Sequence, residues 1–339
     1  MSVKKFVNDP DDLVTEALAG LVTASRGALR LHTDPVWLAA TADAGVERVA
    51  LVSGGGSGHE PLHTGFVGPG MLDAAVPGAV FASPTALQVV AAVRGADRGA
   101  GVLLVVKNYT GDVLNFRIAA EIAAEEGIEV ETVLVDDDLA TEPGADGRGG
   151  PGRRGTAATV VVEKVCGAAA ARGLPLAEVA ALGRRVVDGA RSMAVALEGA
   201  VHPGEDVRSF DLAGDEVELG VGIHGERGTA RRPMATARDL VAELVGPLVE
   251  ALGLGDGDGV VVVVNGLGST HLLELSLVFG EVAALLEARG VAVRRSLVGS
   301  YVTALDMAGA SVTLVRADDE LVDLWDAPVA TTALSWGAR

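Results

Sequence analysis

Short runs of branched apolar residues alternate along the chain with longer stretches of helical apolar periodicity. Val49-Ala50-Leu51-Val52, Gly101 to Val106 and Val130 to Val135 have the length and β-branched content of buried strands. The first runs into the glycines Gly54 to Gly58, the second into Lys107-Asn108, the third into Asp136 to Asp138. Helix candidates, Thr85 to Val93 and Val113 to Glu126, lie between them. This rhythm predicts an α/β domain with a mainly parallel sheet. Ligands of such sheets gather at the carboxyl ends of the strands, where the Gly54 and Lys107 clusters fall.

Thr141 to Gly152 is rich in Gly and Pro and predicts a surface loop; helical stretches over Thr156 to Ala171 and Leu176 to Val195 follow. Beyond Val201 the texture changes to short strands: Val217 to Leu219, Gly222-Ile223, Val260 to Val264, Ala292 to Leu297 and Ser311 to Val315. Two helical runs, Ala235 to Leu252 and Leu272 to Ala288, interrupt them. The expected division is an N-terminal α/β domain over 1–188 and a second, α+β domain over 189–317. The last segment, about 318–339, is expected to pack back on the first domain.

Composition narrows the function classes. Of 339 residues, 49% are apolar and 22% charged, a globular profile with material for about two domains. A formal charge of −19 repels phosphate backbones and argues against nucleic acid as a partner. One cysteine, Cys166, allows no internal disulfide and fits a reducing compartment; its helical run predicts a small buried hydrophobe. Met1 to Asp12 carries no secretory pattern, and the longest apolar strand-like run, Val260 to Val264, is far too short for a membrane span. The expected location is the cytoplasm.

Several literal motif matches fail on context. His59-Glu60-Pro61-Leu62-His63 has the H-E-x-x-H spacing, but zinc binding needs both histidines on one helical face, and Pro61 stands between them. Gly220 to Gly225 reads G-x-G-x-x-G, yet it leads into the charged, turn-like Glu226 to Pro233 instead of the helix that would hold a pyrophosphate. Gly54-Gly55-Gly56-Ser57-Gly58 lacks the Lys-Ser/Thr ending of a Walker loop. Gly255 to Gly259 reads as a tight turn before a strand. No metal site and no nucleotide loop are expected in this chain.

Three clusters carry possible chemistry. In Ser53 to His63, glycines let a ligand approach the backbone, with His59 at the pocket lip. In Lys107 to Asp112, Lys107 is a fixed cation and Asp112 a possible general base; a plain turn is the alternative. In Gly222-Ile223-His224-Gly225-Glu226, a histidine between glycines is sterically open, and an unprotonated imidazole can attack a carbonyl carbon. Taken singly, His59 is equally readable as structural, and His224 alone is a weak signal, since most histidines are structural.

Taken together, these residues resemble one family. Leu51 to Leu62 (LVSGGGSGHEPL), Lys107 to Asn115 (KNYTGDVLN), Val221 to Glu226 (VGIHGE) and Leu324 to Gly337 are similar to the dihydroxyacetone-binding K subunit of dihydroxyacetone kinases. Phe6 to Pro10 and Gly152 to Thr156 also fit, so the resemblance runs the length of the chain. It implies that a ring nitrogen of His224 adds to the substrate ketone to give a hemiaminal. Such a bond selects carbonyl compounds over glycerol and fixes a tiny substrate. It implies further that Asp112 takes the proton from the terminal hydroxyl and that His59 bonds that hydroxyl. Gly56, Ser57, Gly58, His59 and Lys107 match substrate-binding positions, and Ser83-Pro84-Thr85 falls at the pocket wall.

The resemblance implies that the phosphoryl donor is a nucleotide held with magnesium on a separate helical L domain, so ADP or ATP and Mg are expected on a partner L subunit and not on this chain. Val264 to Thr270 resembles K subunits of the phosphotransferase-system type, in which a phosphocarrier recharges the nucleotide on the L subunit. The family is generally a homodimer. Two alternatives stay open: a non-catalytic paralogue that binds the ketose and acts with a transcription regulator, and a kinase subunit for a four-carbon ketose such as erythrulose.

Overall fold

The structure is a computed structural model and describes residues 4–42, 46–142 and 152–337. The chain forms two compact units. The first comprises 4–135, 159–185 and 323–339; the second comprises 136–158 and 186–322.

In the first unit, helix α1 (Leu13–Ala24) precedes a hairpin of β1 (Leu29–Thr33) and β2 (Val36–Ala40). Then follow β3 (Ala50–Ser57), β4 (Ala74–Val80), helix α2 (Ala86–Ala96), β5 (Val102–Lys107), helix α3 (Thr110–Glu125) and β6 (Val130–Val135). The sheet order is β1-β2-β4-β3-β5-β6. The pairings β3·β4, β3·β5 and β5·β6 are parallel, whereas the β1–β2 hairpin adds antiparallel edges. The central strands are apolar because helices cover the sheet: Val52, Leu104, Val89, Val93 and Phe116 share one core. Thr85 caps α2 in a reciprocal capping box with Gln88.

Helices α4 (Ala158–Ala171) and α5 (Leu176–Asp188) follow. Helix α4 is buried on all sides from Thr159 to Ala170, as its nearly continuous apolar sequence requires. The second unit holds β7 (Ala190–Glu198), β8 (Glu216–Leu219), β9 (Ala230–Pro233), helix α6 (Ala237–Leu252), β10 (Gly259–Gly266), helix α7 (Leu272–Glu287), β11 (Ala292–Gly299) and β12 (Ala308–Arg316). Its sheet order is β11-β10-β12-β7-β8-β9, parallel only between β10 and β11. Val260 to Val264 are all fully buried. Val260, Val262 and Val264 point to the face covered by Leu244 and Leu248 of α6 and Val282 and Leu286 of α7. Helix α8 (Asp319–Asp326) and the small hairpin of β13 (Val329–Ala330) and β14 (Ser335–Trp336) end the fold. This is the expected pairing of an α/β domain with an α+β domain.

The structure departs from the sequence reading in five places. The glycines after Val52 do not end the strand: β3 runs on to Ser57, because a side chain at Gly54 would meet the backbone oxygen of Val76 and only glycine lets β4 pair so closely. Helix α3 starts at Thr110, so Asp112 lies in its first turn and not in a free loop. The predicted helix to Val195 stops at Asp188, and β7 begins at Ala190. Gly222-Ile223 is irregular chain, not strand.

Finally, residues 136–158 belong to the second unit, not to an unbroken 1–188 domain. The reason is the hydrogen bonding of Asp137. The Asp137 carboxylate accepts from the backbone N–H of Thr156 and Ala158 and from the hydroxyls of Thr156 and Ser192, and its carbonyl accepts Ser192 N–H at 2.7 Å. Most of the loop read over Thr141 to Gly152 lies outside the described residues. Among the described residues, no helix is long and apolar enough to cross a membrane.

Candidate functional site

Strand β5 ends in Lys107, and α3 begins three residues later, which brings a buried lysine and a buried aspartate together. Lys107 is fully buried and Asp112 is 1% exposed. The Lys107 ammonium has three hydrogens to place. It donates to His63 Nε2 at 2.9 Å and to Gly54 O at 3.3 Å, and it lies 3.5 Å from Asp112 Oδ2. Asp112 Oδ1 is buried and has no hydrogen-bond partner among the described residues. The carboxylate also occupies the first turn of α3, whose N-cap, Tyr109, supplies no side-chain cap, so negative charge meets the positive end of the helix.

The glycines explain how these groups fit. A Cβ on Gly55 would collide with Lys107 Nζ and come within 3.4 Å of Asp112 Oδ2. A Cβ on Gly56 would press on the backbone of Phe81 and Ala82. Phe81 itself holds a left-handed φ of +57°, a conformation unfavourable for an aromatic residue, and its N–H bonds Ser57 O at 2.9 Å. His59 is fully buried, and its ring stacks on Phe81 with centroids 5.2 Å apart. Ser57 donates its hydroxyl to Gly78 O at 2.7 Å, and Gly58 N–H reaches the Glu60 carboxylate at 2.9 Å. Of Ser83-Pro84-Thr85, Ser83 stands against Gly111, and Pro84 O accepts Asn115 Nδ2 at 2.8 Å. Gly56, Ser57, Gly58, His59, Lys107 and Asp112 thus all belong to the first unit.

Residues 58–63 form turns, so His59 and His63 share no helical face. The strand that holds Gly54 to Ser57 runs into the turns of 58–63 and not directly into a helix N-terminus. His63 instead faces inward: its Nδ1 lies 2.6 Å from Glu163 Oε1 and 2.9 Å from Ser53 Oγ. Burial, with the nearby Lys107 charge and His59, pushes the His63 ring well below the usual imidazole range, so it is neutral. Burial pushes Glu163 up to about 8.

His224 belongs to the second unit and is half-buried. Its backbone N–H donates to Glu226 Oε2 at 2.7 Å. Glu226 Oε1 is held by Arg154 Nη1 at 3.0 Å, and Arg154 also bonds Asp138 Oδ2 through Nε at 2.7 Å and Gly220 O through Nη2 at 2.9 Å. A side chain at Gly222 would overlap the Glu226 carboxylate, and Gly225 takes a left-handed φ of +77°. Both glycines are therefore required by the turn that carries the histidine.

This paired architecture, with a His–Gly turn in one unit and a buried Lys–Asp pair in the other, coincides with a match over residues 19–333 to the Dak1 domain. The chain belongs to the Dak1 domain family. It is 43% identical to the "PEP-dependent dihydroxyacetone kinase, dihydroxyacetone-binding subunit DhaK" of Escherichia coli (strain K12), covering 99% of this chain and all of the relative. Among solved structures it superposes on the dihydroxyacetone kinase from C. freundii in complex with AMP-PNP and Mg2+ with a TM-score of 0.90 at 35% identity. That match covers 98% of this chain but 61% of the longer kinase chain. It also superposes on "Dihydroxyacetone kinase operon co-activator Dha-DhaQ" with a TM-score of 0.89 at 33% identity, over 94% of this chain and 97% of that one.

Sequence reasoning missed the residues behind the site in this Dak1 chain. His63 drew notice as part of the H-E-x-x-H spacing and as the end of the Ser53 to His63 cluster, not for its contact with Lys107. Glu163 had a signal: Glu163-Lys164 is a lone charged pair inside the apolar run Val160 to Ala171. The grip of Arg154 on Glu226 joins positions 72 apart in sequence, which no local pattern reveals.

Proposed function

We propose that this chain is the dihydroxyacetone-binding subunit of a two-component dihydroxyacetone kinase, acting in the cytoplasm as a homodimer with a separate L subunit. The end-to-end likeness to the E. coli subunit supports the substrate class and the use of phosphoenolpyruvate through phosphocarriers. The observation that carries the chemistry is the Asp112 carboxylate, tied through Oδ2 to Lys107 while Oδ1 stays buried and unpartnered among the described residues.

In this reading a ring nitrogen of His224 forms a bond to the ketone carbon. The carbonyl π electrons move to oxygen, the other ring nitrogen gives up its hydrogen, and that proton ends on the oxygen, so the ketose is held as a neutral hemiaminal. Asp112 Oδ1 receives the proton of the terminal hydroxyl as that oxygen bonds to phosphorus and the P–O bond to the departing nucleoside diphosphate breaks. His59 bonds the same hydroxyl, and Gly56, Ser57, Gly58 and Lys107 shape the pocket. The nucleotide and magnesium that supply the phosphoryl group belong to the L subunit, and the product is dihydroxyacetone phosphate.

A second reading, a co-activator that binds the ketose without turning it over, draws on the likeness to the operon co-activator. Reconstitution separates them. The chain is mixed with an L subunit, phosphocarriers and phosphoenolpyruvate, and dihydroxyacetone phosphate is measured. Turnover that is lost in Asp112→Ala supports the kinase reading; ketose binding with no turnover in the unaltered chain supports the co-activator.

A further inference from the structure

Behind Lys107 lies a second layer of buried polar groups to which the proposed reaction gives no task. Ser53, His63 and Glu163 are at most 4% exposed, and they come from β3, the turn after it and α4. Burying a histidine, a glutamate and a lysine side by side is unfavourable unless their hydrogen bonds are satisfied, so the arrangement calls for a reason.

The hydrogen-bond directions are fixed by elimination. An ammonium can only donate, so His63 Nε2, 2.9 Å from Lys107 Nζ, accepts and carries no hydrogen. The ring hydrogen is then on Nδ1, which faces Glu163 Oε1 and Ser53 Oγ. Ser53 gives its own hydroxyl hydrogen to Val105 O at 2.7 Å, so its oxygen is an acceptor toward Nδ1–H. Glu163 and Ser53 thus select the tautomer that presents a bare Nε2 to Lys107.

We propose that His63 and Glu163 are positioning residues for the proposed base: they hold the Lys107 ammonium in the one place where it contacts Asp112 Oδ2 and leaves Oδ1 to the substrate. This rests on the reading of Asp112 as the base. A lysine side chain has much rotamer freedom to lose, and Gly54 O alone would leave its head free to swing off the carboxylate. Two groups compete for the ammonium, Asp112 on one side and Glu163 behind His63, with His59 as the other titratable neighbour of the ring. Asp112 lies 3.5 Å from the ammonium, whereas Glu163 meets it only through His63.

The test uses the full chain with its L subunit and counts active sites by the ketose adduct, so that unfolded protein is excluded from the rate. His63→Leu removes the acceptor, whereas His63→Gln keeps one at nearly the same place. The expected result is that kcat per adduct falls roughly 30-fold or more in His63→Leu and stays within about 5-fold of the unaltered chain in His63→Gln, with KM for dihydroxyacetone unchanged in both. Equal kcat per adduct in all three would overturn the assignment. A variant-free check covers poor folding: nitrogen-15 NMR of the histidines in the unaltered chain should show the His63 ring with hydrogen on Nδ1 and none on Nε2, and the reverse would contradict the proposal. Failure of the unaltered chain to form any adduct would instead count against the capture reading itself.

Discussion

The Arg154 guanidinium lies 3.0 Å from Glu226, and the other oxygen of that carboxylate takes the backbone N–H of His224 at 2.7 Å. The turn that presents the histidine is therefore braced by a planar fork that also grips Asp138 and Gly220 O.

Arg154→Ala should release this brace and strand a buried carboxylate, since Asp138 is only 2% exposed. The expected loss of stability is about 3 kcal/mol, the scale for breaking one side of a buried pair. Ketose capture should weaken roughly 10-fold in the protein that remains folded. Arg154→Lys should rescue little, because a point-like ammonium cannot reproduce the fork. Urea unfolding and adduct titration check both effects.

Two buried carboxyls make stability depend on pH. Burial raises Asp138 from 3.8 to about 6 against the opposing pull of Arg154, and raises Glu163 from 4.5 to about 8. Both keep protons in the folded chain that they lose on unfolding. Their contribution is therefore complete below the unfolded values and is lost as pH rises through about 6 for Asp138 and about 8 for Glu163. The urea midpoint should fall between about pH 5 and 8. In Glu163→Gln the part lost above about pH 6 should shrink, by roughly 1–3 kcal/mol. An unchanged pH dependence in that variant would count against the buried acid.

Two buried strands were legible because Val102 to Val106 and Val260 to Val264 are apolar at every position and rich in β-branched residues, which fits buried strands of that length. Asp112, His59 and His224 stand out in the sequence through their glycine and strand-end settings, and their roles at the site are proposals. The extension of β3 through Gly54 to Ser57 was not, because glycine signals a turn locally, while here its missing side chain serves the close approach of Val76. The assignment of 136–158 to the second unit was equally hidden. It depends on Asp137 reaching Ser192, 55 residues away. The supporting layer of Ser53, His63 and Glu163 is likewise long-range, spanning 100 residues between His63 and Glu163.

Gly55→Ala tests the packing around the Lys–Asp pair. The new methyl meets Lys107 Nζ, and driving that buried ammonium away from Asp112 should cost about 3–5 kcal/mol, the scale for breaking a buried pair. Lys107 would have to leave its place beside Asp112. Turnover with the L subunit should drop roughly 100-fold while ketose capture persists. Turnover at the level of the unaltered chain would contradict the tight fit.

Cys166 should be inert in the folded chain. It is fully buried, its Sγ points to Val179 O at 3.5 Å, and burial, with the Glu163 charge, pushes its thiol up to about 12. A thiol-labelling reagent should react only as fast as the chain opens, and denaturant should accelerate labelling. Immediate labelling without denaturant would contradict this burial.

The most direct measurement of the proposed capture is native intact-mass spectrometry of the chain incubated with dihydroxyacetone, compared with His224→Ala. The expected result is one added triose per chain, with no water lost, in the unaltered protein and none in the variant. The same added mass in both, or in neither, would contradict covalent holding of the ketose by His224.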